Sequence, residues 1–293
     1  MTSRILGKLN LDDTRLAPEV ATIRELPKGQ EVYDEFTSGF WKNVPLWNDT
    51  GDGNDTLFRE AASPARPTEH ATKLPYLNEV IRNTFAVDRL DMVRGRDIVD
   101  ASMMPHKDFL ELDESDGEPQ QRNFRVLVVL EDNEHTYNSD EEQVFRMRKG
   151  EIWFLDAAGV HCAANFSTDS RISLCLDFSF DRPFTPADVF ADRSSYTPGI
   201  EPLLVKRSPL PPDFTLDVRR LSAACNRHTF RDLAFALAKL HFTVETPSVA
   251  CYDWLIEIAE RTDDPALVAK AEEAREFYVT DRAMHQRFSF TSW

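Results

Sequence analysis

Short runs of alternating or continuous apolar residues fill the middle of the chain, from about residue 88 to residue 180. Acidic or glycine-bearing stretches separate these runs, and Lys149-Gly150 is typical of a turn between two of them. The pattern predicts strands over residues 89–94, 98–106, 124–130, 143–147, 152–155 and 172–180. Many short strands joined by polar turns favour an all-β sandwich or barrel, and the spacing alone does not separate a jelly roll from other sandwiches.

The regions on either side of this block have different patterns. Residues 4–11 alternate as in a short strand, residues 75–85 have helical spacing, and the polar residues 48–67 are typical of a long exposed loop. Beyond Pro212, apolar residues recur three or four positions apart in four segments, which predicts helices over 217–225, 230–240, 249–261 and 265–277. We therefore expect a β-rich domain with N-terminal helical and loop elements over residues 1–205, and a helical domain over residues 206–293.

Composition and charge exclude two classes of partner. Hydrophobic residues make up 42% of the 293 positions, with 20 Phe and 5 Trp, which is enough for a sizeable core. The formal net charge of -16 and the absence of a Lys/Arg run argue against a nucleic-acid partner and against binding to anionic membranes. No stretch approaches the roughly 18 or more apolar residues of a membrane span. We therefore expect a soluble protein whose partner is a small molecule.

The cysteines and the first residues indicate a compartment. The four cysteines (Cys162, Cys175, Cys225 and Cys251) are widely spaced and form no Cys-x-x-Cys pair. This spacing does not support a zinc knuckle or a disulfide framework. The first residues are interrupted by charge and do not read as a secretory signal. Scattered free thiols then predict a reducing, cytoplasmic location.

The candidate chemistry lies in the β-rich middle, where the segment Pro105-His106-Lys107-Asp108 contains a His-x-Asp pair. Residues two apart on a strand point to the same face, so one imidazole and one carboxylate can reach a single ion. Two histidines and one carboxylate, with coordination positions left open, are the ligand set of non-haem Fe(II) oxygenases. His135 and His161 are the candidates for the third ligand. His161 is favoured because it follows a predicted buried strand, whereas His135 lies in an acidic turn.

Arg171 follows His161 at the head of an apolar predicted strand. A guanidinium that enters a buried strand needs an anionic partner, because an unpaired buried charge is expensive. A carboxylate is its natural bidentate mate, and a dicarboxylate co-substrate would supply one. A His-x-Asp pair alone is a weak signal. Together with His161 and Arg171 in one β-rich block, it predicts a metal site that also binds a dicarboxylate and dioxygen.

Several longer stretches follow the pattern of one known family. They are residues 5–8 (ILGK), 33–42 (YDEFTSGFWK), 44–48 (VPLWN), 105–109 (PHKDF), 111–113 (ELD), 124–125 (FR), 129–132 (VLED), 150–157 (GEIWFLDA), 252–258 (YDWLIEI) and 287–293 (RFSFTSW). Through them the chain resembles the bacterial free-proline hydroxylases, most closely the proline cis-3-hydroxylase type. The resemblance extends nearly from end to end, which makes it more specific than the candidate metal ligands alone.

The resemblance implies a double-stranded β-helix, or jelly-roll, core with a helical C-terminal domain. It implies Fe(II) bound by His106, Asp108 and His161, and Arg171 on the distal carboxylate of 2-oxoglutarate. With dioxygen as the other co-substrate, the implied activity is hydroxylation of a free cyclic imino acid, first of all L-proline at C3 on the cis face.

The residues that would bind the imino acid are less well indicated. Arg125 at the start of an apolar strand and Arg94 ahead of the His-x-Asp pair are candidates for its carboxylate. Asn138 stands where the family pattern has histidine, and the surrounding loop 131–140 differs as well. L-Pipecolate, or C4 of proline, is therefore an alternative target of the same chemistry.

Two readings from other classes stay open at this point. One is a metal-binding protein of cupin type without oxygenase activity, and the other is a structural β-sandwich whose His and Asp residues are incidental. Arg171 separates the oxygenase from the cupin, because a cupin without 2-oxoglutarate has no need of that buried cation. The sequence leaves the oligomeric state open, with a homodimer as one possibility.

Overall fold

A computed structural model of the chain describes residues 2–29, 35–56, 64–108, 112–113, 120–121, 123–181, 183–282 and 286–293. Residues 33–34, 109 and 111 of the stretches that carry the family resemblance lie outside these ranges. Residues 57–63 of the predicted long loop also lie outside them.

The described chain is rich in short strands. In chain order the strands are β1 (Arg4–Lys8), β2 (Thr37–Asn48), β3 (Arg66–Pro67), β4 (Leu90–Met103), β5 (Leu112–Asp113), β6 (Gln120–Gln121), β7 (Asn123–Val129), β8 (Thr136–Asp140), β9 (Gln143–Arg146), β10 (Glu151–Leu155), β11 (His161–Asn165), β12 (Arg171–Ser179), β13 (Leu203–Leu204), β14 (Ser208–Pro209) and β15 (Val244–Glu245). The α-helices are α1 (Asp13–Glu25), α2 (Pro75–Thr84), α3 (Phe214–Arg220), α4 (Phe230–Leu240), α5 (Ala250–Ala259) and α6 (Pro265–Arg275). No helix within the described ranges is long and apolar enough to cross a lipid bilayer.

Eleven of the strands form one sheet with the order β1-β10-β7-β12-β4-β11-β8-β9-β13, and β2 adds to β4 and carries β3. All pairings in this sheet are antiparallel. The sheet curls, so that strands far apart in its order line a common cavity. A curled antiparallel core followed by helices confirms the expected fold class, a jelly-roll core with a helical C-terminal region.

Alternation along β12 gives this strand two different faces. Ile172, Leu174, Leu176 and Phe178 join the largest apolar cluster, which also takes up α1 and α2. Side chains alternate along a strand, so the other residues of β12 point to the opposite face. They are Arg171, Ser173, Cys175 and Asp177. All eight of these residues are buried, so this second face is an interior polar surface rather than a solvated one.

The C-terminal helices α4, α5 and α6 pack round a second apolar cluster. This cluster also includes Phe36, just before β2, and Met104, just after β4. The helices therefore lie against the segment that carries the His-x-Asp pair. The division of the chain at residue 205 stays a prediction.

Two features of the secondary structure differ from the sequence-based predictions. The separate strands predicted over 89–94 and 98–106 are one continuous strand, β4, so the expected turn between them is wrong. Gly95 in mid-strand packs beside Ile23 of α1, where an added Cβ would come within 3.2 Å of that side chain. The polar residues around Gly95 suggested a turn, but Arg94 is buried and paired with a carboxylate in the interior.

The N-terminal region contains two elements that the apolar pattern did not reveal. Helix α1 contains Pro18 and is capped by Asp12, whose carboxylate accepts hydrogen bonds from the backbone N–H groups of Thr14 and Arg15. Phe40, Trp41 and Trp47 belong to strand β2, which pairs along most of β4. Neither element shows a clean period, because α1 is only weakly amphipathic and β2 is largely buried on both faces in its second half.

His241, at the end of α4, is a buried histidine with polar partners at both ring nitrogens. Its Nδ1 lies 2.7 Å from the carbonyl of Thr246 and 3.0 Å from Nη1 of Arg207, and its Nε2 lies 2.6 Å from the Ser139 hydroxyl. Burial lowers the pKa of His241 to about 4. Between this value and the ordinary 6.5, the unfolded chain binds more protons than the folded chain. The stability that the neutral imidazole contributes is therefore complete above about pH 6.5 and falls as the pH drops toward 4.

We therefore predict that the His241→Gln variant has a flatter dependence of stability on pH. The glutamine amide keeps a donor and an acceptor but does not titrate. The variant should therefore lack the loss of stability, on the order of 2 kcal/mol, that the titration of His241 causes in the wild type between about pH 7.5 and pH 5. Urea unfolding of the two proteins over this pH range measures the difference. Identical slopes in the two proteins would contradict the assignment.

Candidate active site

Three buried side chains from two neighbouring segments form the centre of the site. His106 and Asp108 lie just beyond the end of β4, and His161 is the first residue of β11. The two segments are held together by reciprocal backbone hydrogen bonds, from His106 N–H to the His161 carbonyl at 3.0 Å and back at 2.9 Å. The backbone N–H of Asp108 donates to the Ala157 carbonyl at 2.7 Å, and this hydrogen bond fixes the backbone that carries the Asp108 carboxylate.

The ligand atoms of these three residues lie within 4.8 Å of one another. The Nε2 atom of His106 is 3.4 Å from Oδ1 of Asp108, and the two imidazole rings have centroids 4.3 Å apart. Among the residues that the structure describes, this is the one group of three or more His, Cys, Asp or Glu side chains close enough to share an ion. His135, the other candidate for third ligand, is exposed in a turn and is not part of the group.

Backbone carbonyls orient both imidazoles. The Nδ1 atom of His106 is 2.9 Å from the Met104 carbonyl, and Nδ1 of His161 is 3.1 Å from the Gly159 carbonyl. A carbonyl can only accept, so each Nδ1 carries the proton and each Nε2 keeps its lone pair. This arrangement is typical of metal-binding histidines, whose second nitrogen is fixed by a hydrogen bond.

The charges of the site also suit a divalent cation. Burial lowers the pKa of His161 to about 3, so this imidazole is neutral at physiological pH. Burial raises the pKa of the Asp108 carboxyl, but the charge of Arg125 and the contact with His106 outweigh it and hold the pKa well below its ordinary value. A neutral imidazole and an ionised carboxylate are the protonation states that a metal ion requires. The donor set of two nitrogens and one oxygen fits Fe(II).

The C-terminal helices support the metal-binding segment from behind. The Tyr252 hydroxyl of α5 donates to the carbonyl of Pro105 at 2.6 Å. The backbone N–H of Lys107 donates to the Tyr278 carbonyl at 2.9 Å. Phe36 packs on the His106 ring at a centroid distance of 5.0 Å. The sequence did not reveal these contacts, because an apolar helical face does not show what it packs against.

The remaining predicted site residues line the same cavity as the three candidate ligands. Arg94, Arg125, Asn138 and Arg171 all contribute to its wall. For Asn138, the register of the sheet explains this position. Asn138 of β8 is opposite Ala163 of β11, and these neighbours share the face that carries His161. The lining residues that the sequence did not single out are Trp41, Asn43, Arg96, Ile98, Met103, Leu127, Leu155, Cys162, Ala163 and Ser173.

Arg171 is a buried cation in the wall of this cavity. Its side chain is almost fully buried, and its Nη2 has no hydrogen-bond partner among the described residues. Burial, together with the charge of Arg96, lowers the pKa of Arg171 to about 10, so the guanidinium remains charged. A buried charge without a partner is unfavourable, and a carboxylate supplied from outside would relieve it. The hydroxyl of Ser173, two residues on, also lacks a partner within the described residues.

Arg94 and Arg125 also line the cavity and are linked by a carboxylate. The Nε of Arg125 donates to Oδ1 of Asp177 at 2.7 Å, and Nη2 of Arg94 donates to Oδ2 of the same residue. Arg125 also donates through Nη1 to Oδ2 of Asp108 at 2.5 Å. The sequence analysis missed Asp177, although its position in phase with Arg171 on β12 could have indicated a polar face.

Comparison with known proteins gives matches along the length of the chain. Residues 14–180 match the family described as aspartyl/asparaginyl beta-hydroxylase, and residues 186–286 match the family described as L-proline 3-hydroxylase, C-terminal. The chain is 46% identical to "L-proline cis-3-hydroxylase 2" of a Streptomyces species, over 100% of both chains. It is 33% identical to "L-proline cis-4-hydroxylase" of Rhizobium meliloti (strain 1021), over 96% of this chain and 97% of the relative.

A solved structure of HygX from Streptomyces hygroscopicus with nickel and 2-oxoglutarate bound is also similar, at 11% identity and a TM-score of 0.38. The match covers 61% of this chain and 83% of HygX, and a likeness this low carries no weight in the assignment. The β core and the His-Asp-His group define the class as mononuclear non-haem metalloenzymes. Within it, the full-length identity to the curated relatives shows that this chain belongs to the L-proline 3-hydroxylase family.

Proposed function

We propose that this protein hydroxylates free L-proline at C3, on the cis face, with Fe(II), 2-oxoglutarate and dioxygen. The observation that carries the proposal is one cavity that holds both the buried His-Asp-His group and the buried Arg171, whose Nη2 has no hydrogen-bond partner among the described residues. The full-length identity of 46% to an L-proline cis-3-hydroxylase supports the choice of substrate and of position.

The candidate cofactors fit the residues present. His106, Asp108 and His161 would hold the iron, and Arg171 would bind the distal carboxylate of 2-oxoglutarate. Iron bound with 2-oxoglutarate and dioxygen supplies the oxidant that inserts one oxygen atom into a C–H bond, and 2-oxoglutarate is converted to succinate and CO2. The chain itself binds and orients the reactants, and its apolar lining, such as Leu127 and Leu155, excludes water from them.

Arg94 and Arg125 would attract the carboxylate of the imino acid. Both guanidinium groups line the cavity, and Asp177 behind them pairs with each of the two. Two cations in one wall suit a free amino or imino acid, whose carboxylate can approach them. Asn138, which lines the same cavity, would contact the ring.

Two alternative activities rest on the same chemistry. The relative from Rhizobium meliloti, at 33% identity, carries the name of a cis-4-hydroxylase, so C4 of proline is a second candidate position. L-Pipecolate is a second candidate substrate, because Asn138 stands where the family pattern has histidine and its smaller side chain leaves more room. A cupin-like protein without oxygenase activity is disfavoured, because it would leave Arg171 buried without a use.

The setting of the protein belongs to the same proposal. All four cysteines are buried free thiols, as expected of a protein that works in a reducing cytoplasm. We propose a small-molecule substrate and no nucleic-acid partner, in keeping with the net charge of -16. We also propose residues 206–293 as the helical domain that supports the metal-binding segment.

We predict that L-proline stimulates succinate release from the protein loaded anaerobically with Fe(II) and then given 2-oxoglutarate and oxygen. A panel of free amino acids, with L-pipecolate and D-proline included, is compared by succinate yield and by mass spectrometry of the product. The expected product is heavier than proline by one oxygen atom, and NMR should place the hydroxyl at C3 on the cis face. Omission of iron or 2-oxoglutarate is the control.

Each other outcome of this experiment has a defined meaning. Faster turnover of L-pipecolate would make L-pipecolate the substrate instead of L-proline. A product hydroxylated at C4 would make C4 the position of attack instead of C3. Succinate release that no imino acid stimulates would remove the proposed substrate class altogether.

A further inference from the structure

Asp177 is a fully buried carboxylate in the middle of the interior face of β12. In the sheet, β12 lies between β7 and β4, so Asp177 is flanked by strands that carry Arg125 and Arg94. Asp177 is directly opposite Arg125 in register, and Arg94 is opposite Cys175, one step along the same face. The register therefore places one anion between two cations that come from distant parts of the sequence.

The contacts of Asp177 use both of its oxygens. Oδ1 accepts from Nε of Arg125 at 2.7 Å, and Oδ2 accepts from Nη2 of Arg94. Burial raises the pKa of the Asp177 carboxyl, but the charges of Arg125 and Arg94 outweigh this effect and keep it below its ordinary value. Asp177 is therefore an anion at physiological pH, and its charge offsets the repulsion between the two guanidinium groups.

Arg125 connects this group to the metal site. Its Nη1 donates to Oδ2 of Asp108 at 2.5 Å, while Oδ1 of Asp108 is the oxygen that lies 3.4 Å from Nε2 of His106. Oδ1 is thus directed toward the shared ligand position, and Oδ2 is held by Arg125. The planar guanidinium allows little freedom once Nε and Nη1 are both bound. The orientation of Arg125 is therefore set from one side by Asp177 and from the other by Asp108.

We propose that Asp177 is a positioning residue that fixes the guanidinium groups of Arg94 and Arg125 for the imino-acid carboxylate. By fixing them it aims the substrate ring at the metal position. Asp177 acts through the two arginines and does not touch the substrate. This inference rests on the proposed function, because it assigns the two arginines to the substrate carboxylate.

The Asp177→Asn variant tests this role, since asparagine has nearly the same shape but one carboxylate oxygen becomes an NH2 group that cannot accept. We expect the KM for L-proline to rise about 10- to 100-fold, as for the loss of a charge-assisted hydrogen bond. The KM for 2-oxoglutarate should stay within about twofold of wild type, because Arg171 is untouched. The ratio of succinate to hydroxyproline should rise, because 2-oxoglutarate is then consumed more often without hydroxylation of the misplaced proline ring.

A readout besides turnover separates positioning from a merely structural role. Under anaerobic conditions, the visible charge-transfer absorption of the Fe(II)–2-oxoglutarate chelate reports whether the metal site is intact. In Asp177→Asn this absorption should persist, while the spectral change on adding L-proline should require a proline concentration higher by the same 10- to 100-fold. Asp177→Glu keeps the charge and should restore part of the proline affinity.

Glu151→Gln is the matched control. Glu151 is also a fully buried carboxylate of the sheet, but it contacts Arg148 and the Trp153 ring nitrogen and does not line the cavity. Loss of its charge should lower stability and leave both KM values unchanged. If Asp177→Asn lost the chelate absorption, or raised both KM values equally, Asp177 would be structural only and the proposal would be wrong.

A double variant covers the case in which Asp177→Asn does not fold. Arg94→Gln combined with Asp177→Asn removes one buried cation and one buried anion together, so the interior charge stays balanced. It should fold and form the chelate, and its KM for L-proline should exceed that of Arg94→Gln alone, because Arg125 has also lost its anchor. A KM equal to that of Arg94→Gln alone would overturn the proposal. A wild-type protein that does not respond to proline would instead contradict the proposed function, so the two failures are distinguishable.

Discussion

Replacement of His106 by alanine should abolish iron retention and lower turnover by more than about 100-fold. Loss of partners that only orient a metal ligand typically costs 10- to 100-fold in metal affinity or activity, and His106 is proposed as a ligand itself. Its imidazole is held with Nε2 toward Asp108 and His161 by the hydrogen bond from Nδ1 to the Met104 carbonyl. Without it, two donors remain, which is one fewer than the three-ligand face of this class.

Iron content after desalting and the rate of succinate release measure the effect of His106→Ala. His135→Ala is the matched control, because His135 is an exposed histidine outside the candidate site. It should keep both iron and activity at the wild-type level. Full activity of His106→Ala, or loss of iron in His135→Ala, would remove the proposed ligand set.

The sequence indicated which candidate residues lie together, but not the ion pairs that they form. The spacing in His106-x-Asp108 already puts two donors on one face, and His161 was chosen because a buried strand precedes it. Each of these inferences needs only the local strand period. The structure brings these three residues together with Arg171 in one cavity.

The ion pairs of Asp177 could not be predicted in the same way. They depend on which strands are neighbours, and β12 lies between β7 and β4 although the three strands are far apart in sequence. Strand parity gives the face of a residue but not the order of strands in a sheet. A turn was also predicted within β4 at the residues around Gly95, which hid the position of Arg94 on the interior face.

The contacts by which the C-terminal helices support the metal-binding segment could not be predicted from the sequence either. Their apolar spacing predicted the helices to within a few residues, and 230–240 is reproduced by α4. The contact of Tyr252 with the Pro105 carbonyl joins residues 147 positions apart. Such pairings follow from how the elements pack, and one sequence without its homologues carries no signal for them.

Replacement of Arg171 by methionine should weaken 2-oxoglutarate binding and stabilise the protein without its co-substrate. A bidentate, charge-assisted contact to a carboxylate contributes about 1.5–3 kcal/mol, so the KM for 2-oxoglutarate should rise about 10- to 100-fold. In the absence of 2-oxoglutarate, Nη2 of the buried guanidinium has no hydrogen-bond partner in the part of the chain that the structure describes. Methionine fills similar space without a charge, so the free energy of unfolding should increase by about 1–3 kcal/mol.

These two opposite effects make Arg171→Met a sharp test. If Arg171 served only the fold, removal of its charge would not make the protein more stable. Urea unfolding with and without 2-oxoglutarate, and the KM for 2-oxoglutarate, are measured on the same preparations. Arg96→Met is the matched comparison, since Arg96 lines the same cavity but has partners in Asn43 and in the Trp41 ring. If Arg96→Met raised the KM for 2-oxoglutarate and Arg171→Met did not, the co-substrate would be held by Arg96. A wild-type KM together with lower stability in Arg171→Met would show that this buried cation serves the fold alone.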